Sequence, residues 1–115
     1  MSFSPTDYLR HMLAEAEYAG QAMSGLTLEI FLENETLKRA IVRSIEIIGE
    51  ATKHISDDFR SRHPQIDWRG MAGMRDRLIH GYFGVDYELV WDVAANKIPK
   101  LRLQLVELLH ERDAR

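Results

Sequence analysis

The sequence predicts an all-α fold: a helical bundle with a long central helix and a kinked C-terminal helix. Three observations predict it. Apolar residues recur at steps of three and four, capping residues stand just ahead of those runs, and no stretch alternates apolar and polar residues with period two. Only 3 prolines and 7 glycines are spread over 115 residues, too few for a turn-rich β-sandwich.

Ser4-Pro5-Thr6-Asp7 opens the first helix with a hydroxyl cap and a proline whose missing N–H costs nothing in the first turn. Leu9, Leu13, Ala16, Gly20 and Met23 follow at helical spacing, and Gly25 is the expected stop. Residues 26–33 read as a connector with room for a turn of helix, carrying Leu28, Ile30 and Phe31. Asn34 then caps the central helix. Leu37, Ile41, Ser44, Ile48, Ala51 and Ile55 mark its apolar face, widened by Ile45 and Ile47. Ser56-Asp57-Asp58 ends that helix and caps a short one to about His63. Pro64 favours an extended path through Gln65 and Ile66.

Asp67 caps a helix from Trp68 to about Tyr82. Gly70 and Gly73 each weaken it by ~1 kcal/mol relative to alanine, which implies close packing or a bend. Gly81 and Gly84 loosen its end. Asp86 caps the last helix, which runs to about Glu111, with Pro99 kinking it or restarting it at Asn96. Residues 111–115 are expected to fray. Met12, Met23, Met71 and Met74 read as core filler, and Trp68 and Trp91 as core or dimer contacts.

This length reads as a single domain over residues 1–115. The formal net charge of −3 argues against a broadly basic nucleic-acid coat. With no cysteine, a disulfide scaffold, a thiolate metal site and a cysteine nucleophile are ruled out. His11, His54, His63, His80 and His110 form no i,i+4 pair and no HExxH, so no metal is expected, and with no phosphate loop and no dinucleotide fingerprint no cofactor is expected either. The opening Met-Ser-Phe-Ser-Pro has no signal-peptide pattern, and no apolar window reaches the ~18 residues of a membrane span. A cytoplasmic protein with no membrane association is the expectation.

Chemistry concentrates in Met74-Arg75-Asp76-Arg77-Leu78-Ile79-His80-Gly81-Tyr82. From Arg60 to His80 five arginines (60, 62, 69, 75, 77) against Asp67 and Asp76 leave a local charge of +3 in a chain of net −3. On a regular helix Arg75 and Tyr82 are nearly eclipsed, whereas Arg75 and His80 stand about 140° apart. Either the helix is distorted near Gly81, or two copies of the chain assemble the site across a two-fold axis. Two histidines and two arginines in one cleft suffice for RNA cleavage without a metal. A neutral imidazole takes the ribose 2′-OH proton, an imidazolium protonates the leaving oxygen, and arginine neutralises the charge that develops at phosphorus. An unperturbed imidazole, with a pKa of ~6.5, suits both roles.

Arg75-x4-His80-x-Tyr82 resembles the Arg-x4-His-x-Tyr motif of the HepT-like proteins, within the HEPN superfamily of small helical ribonucleases. Arg43-Ser-Ile-Glu46-Ile-Ile-Gly49-Glu50-Ala51 is similar to the central-helix signature of that family. Pro64-x-Ile66-Asp67-Trp68, Val85-Asp86 and Pro99-x-Leu101 flank the motif in the family's order, so the resemblance covers roughly residues 5–108. It implies a HEPN-like homodimer whose motifs meet at the interface, acting as a metal-independent endoribonuclease toxin of a toxin–antitoxin pair. Its partner would be a minimal nucleotidyltransferase antitoxin that attaches AMP to the motif tyrosine.

Carried over by position, Arg75 and His80 are catalytic, Asp76 supports them and Tyr82 is the AMP acceptor. Arg69 and Arg77 are the expected RNA-binding residues, and transfer RNA or messenger RNA is the expected substrate. Attached AMP would place a phosphate and a base where RNA binds. Gly49 and Glu50 read as structural, with Glu50 a candidate for orienting Arg75 or His80. Two other readings stand beside this one: a non-catalytic helical subunit of a nucleotidyltransferase complex, and a structural dimerisation domain with a degenerate motif.

Overall fold

A computed structural model describes residues 3–113. The expectations that rest on Met1 and Ser2, and on fraying at Ala114 and Arg115, lie outside the described residues. The architecture is all-α. Helices α1 (Pro5–Ala22), α2 (Leu28–Glu33), α3 (Glu35–Lys53), α4 (Asp57–Arg62), α5 (Trp68–Leu78), α6 (Tyr87–Asp92) and α7 (Ile98–Asp113) follow in chain order. A 3-10 turn, Gly81–Phe83, precedes α6, and a π turn, Val93–Lys97, joins α6 to α7. No helix among the described residues is long and apolar enough to cross a membrane.

Every cap expected from the sequence forms. The side chains of Ser4, Asn34, Ser56, Asp67 and Asp86 each accept from the backbone N–H three residues on. Ser4 and Asp7 complete a capping box, each side chain bonding the other's backbone N–H. Thr27 caps α2 in the same way, so the connector contains a true short helix. Gly25, with φ +74°, turns the chain after α1.

Helix α1 packs on both α3 and α7, and α3 packs on its other side against α5. One cluster of buried side chains fills the space between them, with Leu9, Met12, Phe31, Ile41, Leu105 and Leu108 at its centre. Each such side chain contributes roughly 1.5–3 kcal/mol by leaving water. The α3 face is as expected, with Ile41, Ser44, Ile45, Ile48 and Ala51 all buried. All four methionines named as core filler are buried as well. The α1 stripe shifts by one position: Leu9, Met12, Ala16 and Ala19 are buried, whereas Gly20 faces solvent.

Three expectations are corrected, and a fourth takes a specific form. The His63–Ile66 segment is a turn rather than extended, with the Ile66 N–H donating to the His63 carbonyl at 3.4 Å. The Trp68 indole N–H donates to that same carbonyl at 2.9 Å, which holds the turn against α5. Helix α5 ends at Leu78, four residues short of Tyr82. The expected kink or restart near Asn96 is present, in the form of a π turn in which the Ile98 N–H donates to Val93, five residues back. Proline has no N–H to continue the regular ladder, and the widened turn ahead of it accommodates the ring. Finally, α7 stays helical through Asp113 because side chains tie it to α1: Arg10 pairs with Asp113 at 2.9 Å, and Arg112 donates to Thr6 Oγ1 at 3.0 Å.

Candidate functional site

The segment that carries the motif is a helix followed by a tight loop. At Ile79 the backbone becomes extended (φ −107°, ψ 112°) and bridges antiparallel to Val85. The Asp86 N–H donates to Leu78 and the His80 N–H to Gly84, both at 2.8 Å. These bonds compete with the next helical turn and win because two glycines close the loop. Gly81 has φ +53°, and Gly84 has φ +91° with ψ −157°, a region essentially restricted to glycine.

His80 therefore sits on the loop, and the helical angles expected between Arg75, His80 and Tyr82 do not apply. The His80 side chain is 54% exposed, with Nε2 3.9 Å from Asp86 Oδ2. Asp86 also caps α6 through Oδ1, which accepts from the Leu89 N–H at 3.1 Å. Sequence reasoning assigned it only the cap. Tyr82 and Phe83 form the tip of the loop, 97% and 90% exposed, their rings edge to face at 5.6 Å.

Arg75 reaches across to α3. Its Nε donates to Glu46 Oε2 at 3.3 Å, and Nη1 lies 3.8 Å from Asp76 Oδ1. Gly49 permits this approach: a Cβ there would stand 3.1 Å from the Met71 carbonyl oxygen, so α3 and α5 meet at the glycine. Gly73 has nothing within 4 Å of such a Cβ, and Gly70 meets only its own capping residue, Asp67. Of the glycines read as structural, it is Gly49, not Gly70 or Gly73, at which another helix packs closely.

Arg75 lines an open groove of about 310 Å³ together with Arg43, Glu46 and Glu50 of α3 and its C-cap residue His54. Tyr8 and His11 of α1 close its far side. Glu50 pairs with Lys53 at 3.9 Å, not with Arg75 or His80. Glu46 holds Arg75, a role sequence reasoning missed because 29 residues separate the two. Arg43 has no ion-pair or hydrogen-bond partner among the described residues.

The other arginines disperse. Arg69 and Arg77 line a separate open groove with Asp67 and Asp76. Arg60 donates to the Thr52 and Ile55 carbonyls at 2.7 and 3.1 Å, closing the C-terminal end of α3. Arg62 pairs with Asp58 at 3.2 Å. Among the described residues no hydrogen bond or ion pair joins Arg75 to His80.

A family model described as Ribonuclease HepT-like matches residues 12–108. The chain is 44% identical over 108 residues to "Putative RNase TTE0752" of Caldanaerobacter subterraneus subsp. tengcongensis, covering 94% of this chain and 96% of that one. It is 42% identical over 102 residues to "Probable ribonuclease HepT" of Thermococcus cleftensis, covering 89% and 93% of the two chains. No solved structure matches the chain significantly.

Proposed function

The chain belongs to the ribonuclease HepT-like family, and from that premise we propose that it is a metal-independent endoribonuclease toxin, silenced by AMP attached to Tyr82. The observation that carries this reading is the loop. It presents a half-exposed His80 and an almost fully exposed Tyr82 side by side, while Leu78, two residues before His80, is buried. Tyr82 and Phe83 contribute little to this chain's core, so their exposure leaves them available to other molecules.

The reaction uses a homodimer, in which His80 and Arg75 each occur twice. This reading is supported by their separate partners within one chain, Glu46 for Arg75 and Asp86 for His80, with no hydrogen bond or ion pair between the two among the described residues. One neutral His80 imidazole accepts the ribose 2′-OH proton as that oxygen bonds to the adjacent phosphorus. The bond from phosphorus to the 5′-oxygen breaks, and the other His80, as imidazolium, protonates the departing oxygen. The products are a 2′,3′-cyclic phosphate and a 5′-hydroxyl. Arg75 binds the non-bridging oxygens as charge accumulates on them, with Asp76 in support. Arg69 and Arg77 hold flanking phosphates of a transfer or messenger RNA.

Silencing uses the exposed hydroxyl. The Tyr82 hydroxyl gives its proton to solvent as its oxygen bonds to the α-phosphorus of ATP on a nucleotidyltransferase antitoxin, and the α–β phosphoanhydride bond breaks to release pyrophosphate. The bound AMP then competes with RNA through its bulk and its phosphate charge.

The test is incubation of cellular RNA in EDTA with the wild-type protein and with His80→Ala, mapping the ends, on preparations whose intact mass shows an unmodified chain. Cuts by the wild type alone, ending in 2′,3′-cyclic phosphate, are expected. No cuts from an unmodified preparation would overturn the reading in favour of a binding subunit of a nucleotidyltransferase complex.

A further inference from the structure

We propose that the groove between α1, α3 and α5 is a nucleobase subsite. It takes one nucleotide of single-stranded RNA, with the base stacked on His54 and the phosphate held by Arg43 and Arg75. The identity of the polymer rests on the ribonuclease reading above.

The two ends of the groove differ in chemistry. Arg43, Glu46 and Glu50 of α3 and His54 at its C-cap follow one another at steps of three and four, so they share one face over about 16 Å. The cationic end holds Arg43 together with Arg75, the motif arginine. Arg75 is matched by Glu46, whereas the Arg43 guanidinium has no partner among the described residues. The groove is formally neutral, with Glu46 and Glu50 beside the two arginines, so the unpaired Arg43 guanidinium is the position open to an anion.

The aromatic end is braced. Tyr8 and His54 stack at 4.8 Å with their planes 4° apart. His11 and Phe3 stand edge-on to Tyr8, at 6.1 and 5.6 Å, and to each other at 5.2 Å. Tyr8 is the half-buried inner ring and His54 the exposed outer one. The fold thus holds a flat ring at the mouth of the groove without covering it, the arrangement by which proteins bind single-stranded bases.

Between the two ends lies the Glu50 carboxylate, mostly exposed and only 3.9 Å from Lys53 in a loose pair. A carboxylate accepts from base amino groups, so adenine, cytosine or guanine fits this position better than uracil. The groove volume of about 310 Å³ is at the small end of ligand pockets, which start at roughly 300 Å³.

The test uses the full chain carrying His80→Ala, so that RNA is bound without being cut, and a short RNA with 2-aminopurine as its single fluorescent base. Quenching and anisotropy report stacking and affinity, and KM and kcat are measured in parallel with His80 intact. His54→Ala is expected to abolish the quench and to weaken binding about tenfold, raising KM while kcat stays within about twofold. His54→Phe keeps a flat ring and restores both. Arg43→Ala weakens binding without removing the quench, and Glu50→Gln reduces the preference for 2-aminopurine over uridine.

Binding and KM that are indifferent to His54 and Arg43, in a protein that cleaves RNA, would overturn the subsite and leave the ribonuclease reading standing. Binding that depends on His54, in a wild type that cuts no RNA, supports the subsite and overturns the ribonuclease reading. Binding indifferent to these residues in a protein that cuts nothing overturns both.

Discussion

Arg75 reaches across from α5 to Glu46 on α3, its Nε 3.3 Å from the carboxylate and 29 residues away in sequence. The pair crosses where Gly49 lets the two helices meet. Because the Arg75 side chain is half exposed, the ion pair contributes only about 0–1 kcal/mol to folding. Its value lies in fixing the direction of the guanidinium.

Glu46→Ala is therefore expected to lower RNA cleavage about tenfold or more through misplaced arginine, while the thermal midpoint changes little. Glu46→Gln keeps an oxygen that accepts from Nε and recovers part of the loss. Steady-state kinetics beside thermal unfolding decide it. An unchanged kcat in Glu46→Ala would show that Arg75 needs no such tether.

The two glycine positions separate packing from propensity. At Gly49 a methyl group meets a backbone oxygen at 3.1 Å, which cannot rotate aside. Gly49→Ala should destabilise by about 1–2 kcal/mol net, overpacking outweighing the helix-propensity gain. Gly73→Ala meets nothing within 4 Å, so it should stabilise α5 by up to about 1 kcal/mol. Urea denaturation of the two variants should give shifts of opposite sign.

Gly84 closes the loop that holds His80, at φ +91° and ψ −157°. Alanine there is strained by about 1–3 kcal/mol, and relaxation displaces the His80–Gly84 bond. Cleavage should fall by about a hundredfold, the scale of a 1 Å misplacement, while far-UV circular dichroism stays helical. Retained cleavage in a folded Gly84→Ala protein would show that the loop geometry is not needed.

Two helix starts carry carboxyls whose ionised form the fold favours. The Ser4 backbone N–H and hydroxyl hold the Asp7 carboxyl below its ordinary value, and Lys38 does the same for Glu35. A carboxyl whose folded pKa is depressed contributes stability above its unfolded pKa, and that contribution is lost as pH falls through the folded value. Asp7→Asn should therefore flatten the decline in thermal midpoint from about pH 5 downward. A decline as steep as in the wild type would remove the capping box as its cause.

Much of the fold was legible because its signals are local. A cap bonds a backbone N–H three residues away, so Asn34 and Asp67 announce α3 and α5 without reference to the rest of the chain. The α3 core face was readable for the same reason, since helical period alone orients Ile41 and Ile48. The Arg-x4-His-x-Tyr spacing likewise needed only consecutive residues. Misreadings fell where distant groups compete. Periodicity carried α5 on to Tyr82, but the bridge between Ile79 and Val85 ends it at Leu78. The charge count from Arg60 to His80 treated five arginines as one patch, whereas Arg60 caps carbonyls and Arg62 answers Asp58.

The sequence by itself determined the helices, their starts and the buried stripe of α3, because each depends on backbone geometry over a few residues, and it supplied the motif from which the proposed site is drawn. Tertiary structure alone decided where those residues face. It turned Arg75 onto Glu46, moved His80 onto a glycine loop beside Asp86, and stacked Tyr8 on His54 across 46 positions of chain. The physical reason is that these arrangements arise from packing between helices. Which side chain lies opposite which depends on how closely two backbones approach, as Gly49 shows, and no local pattern encodes that distance.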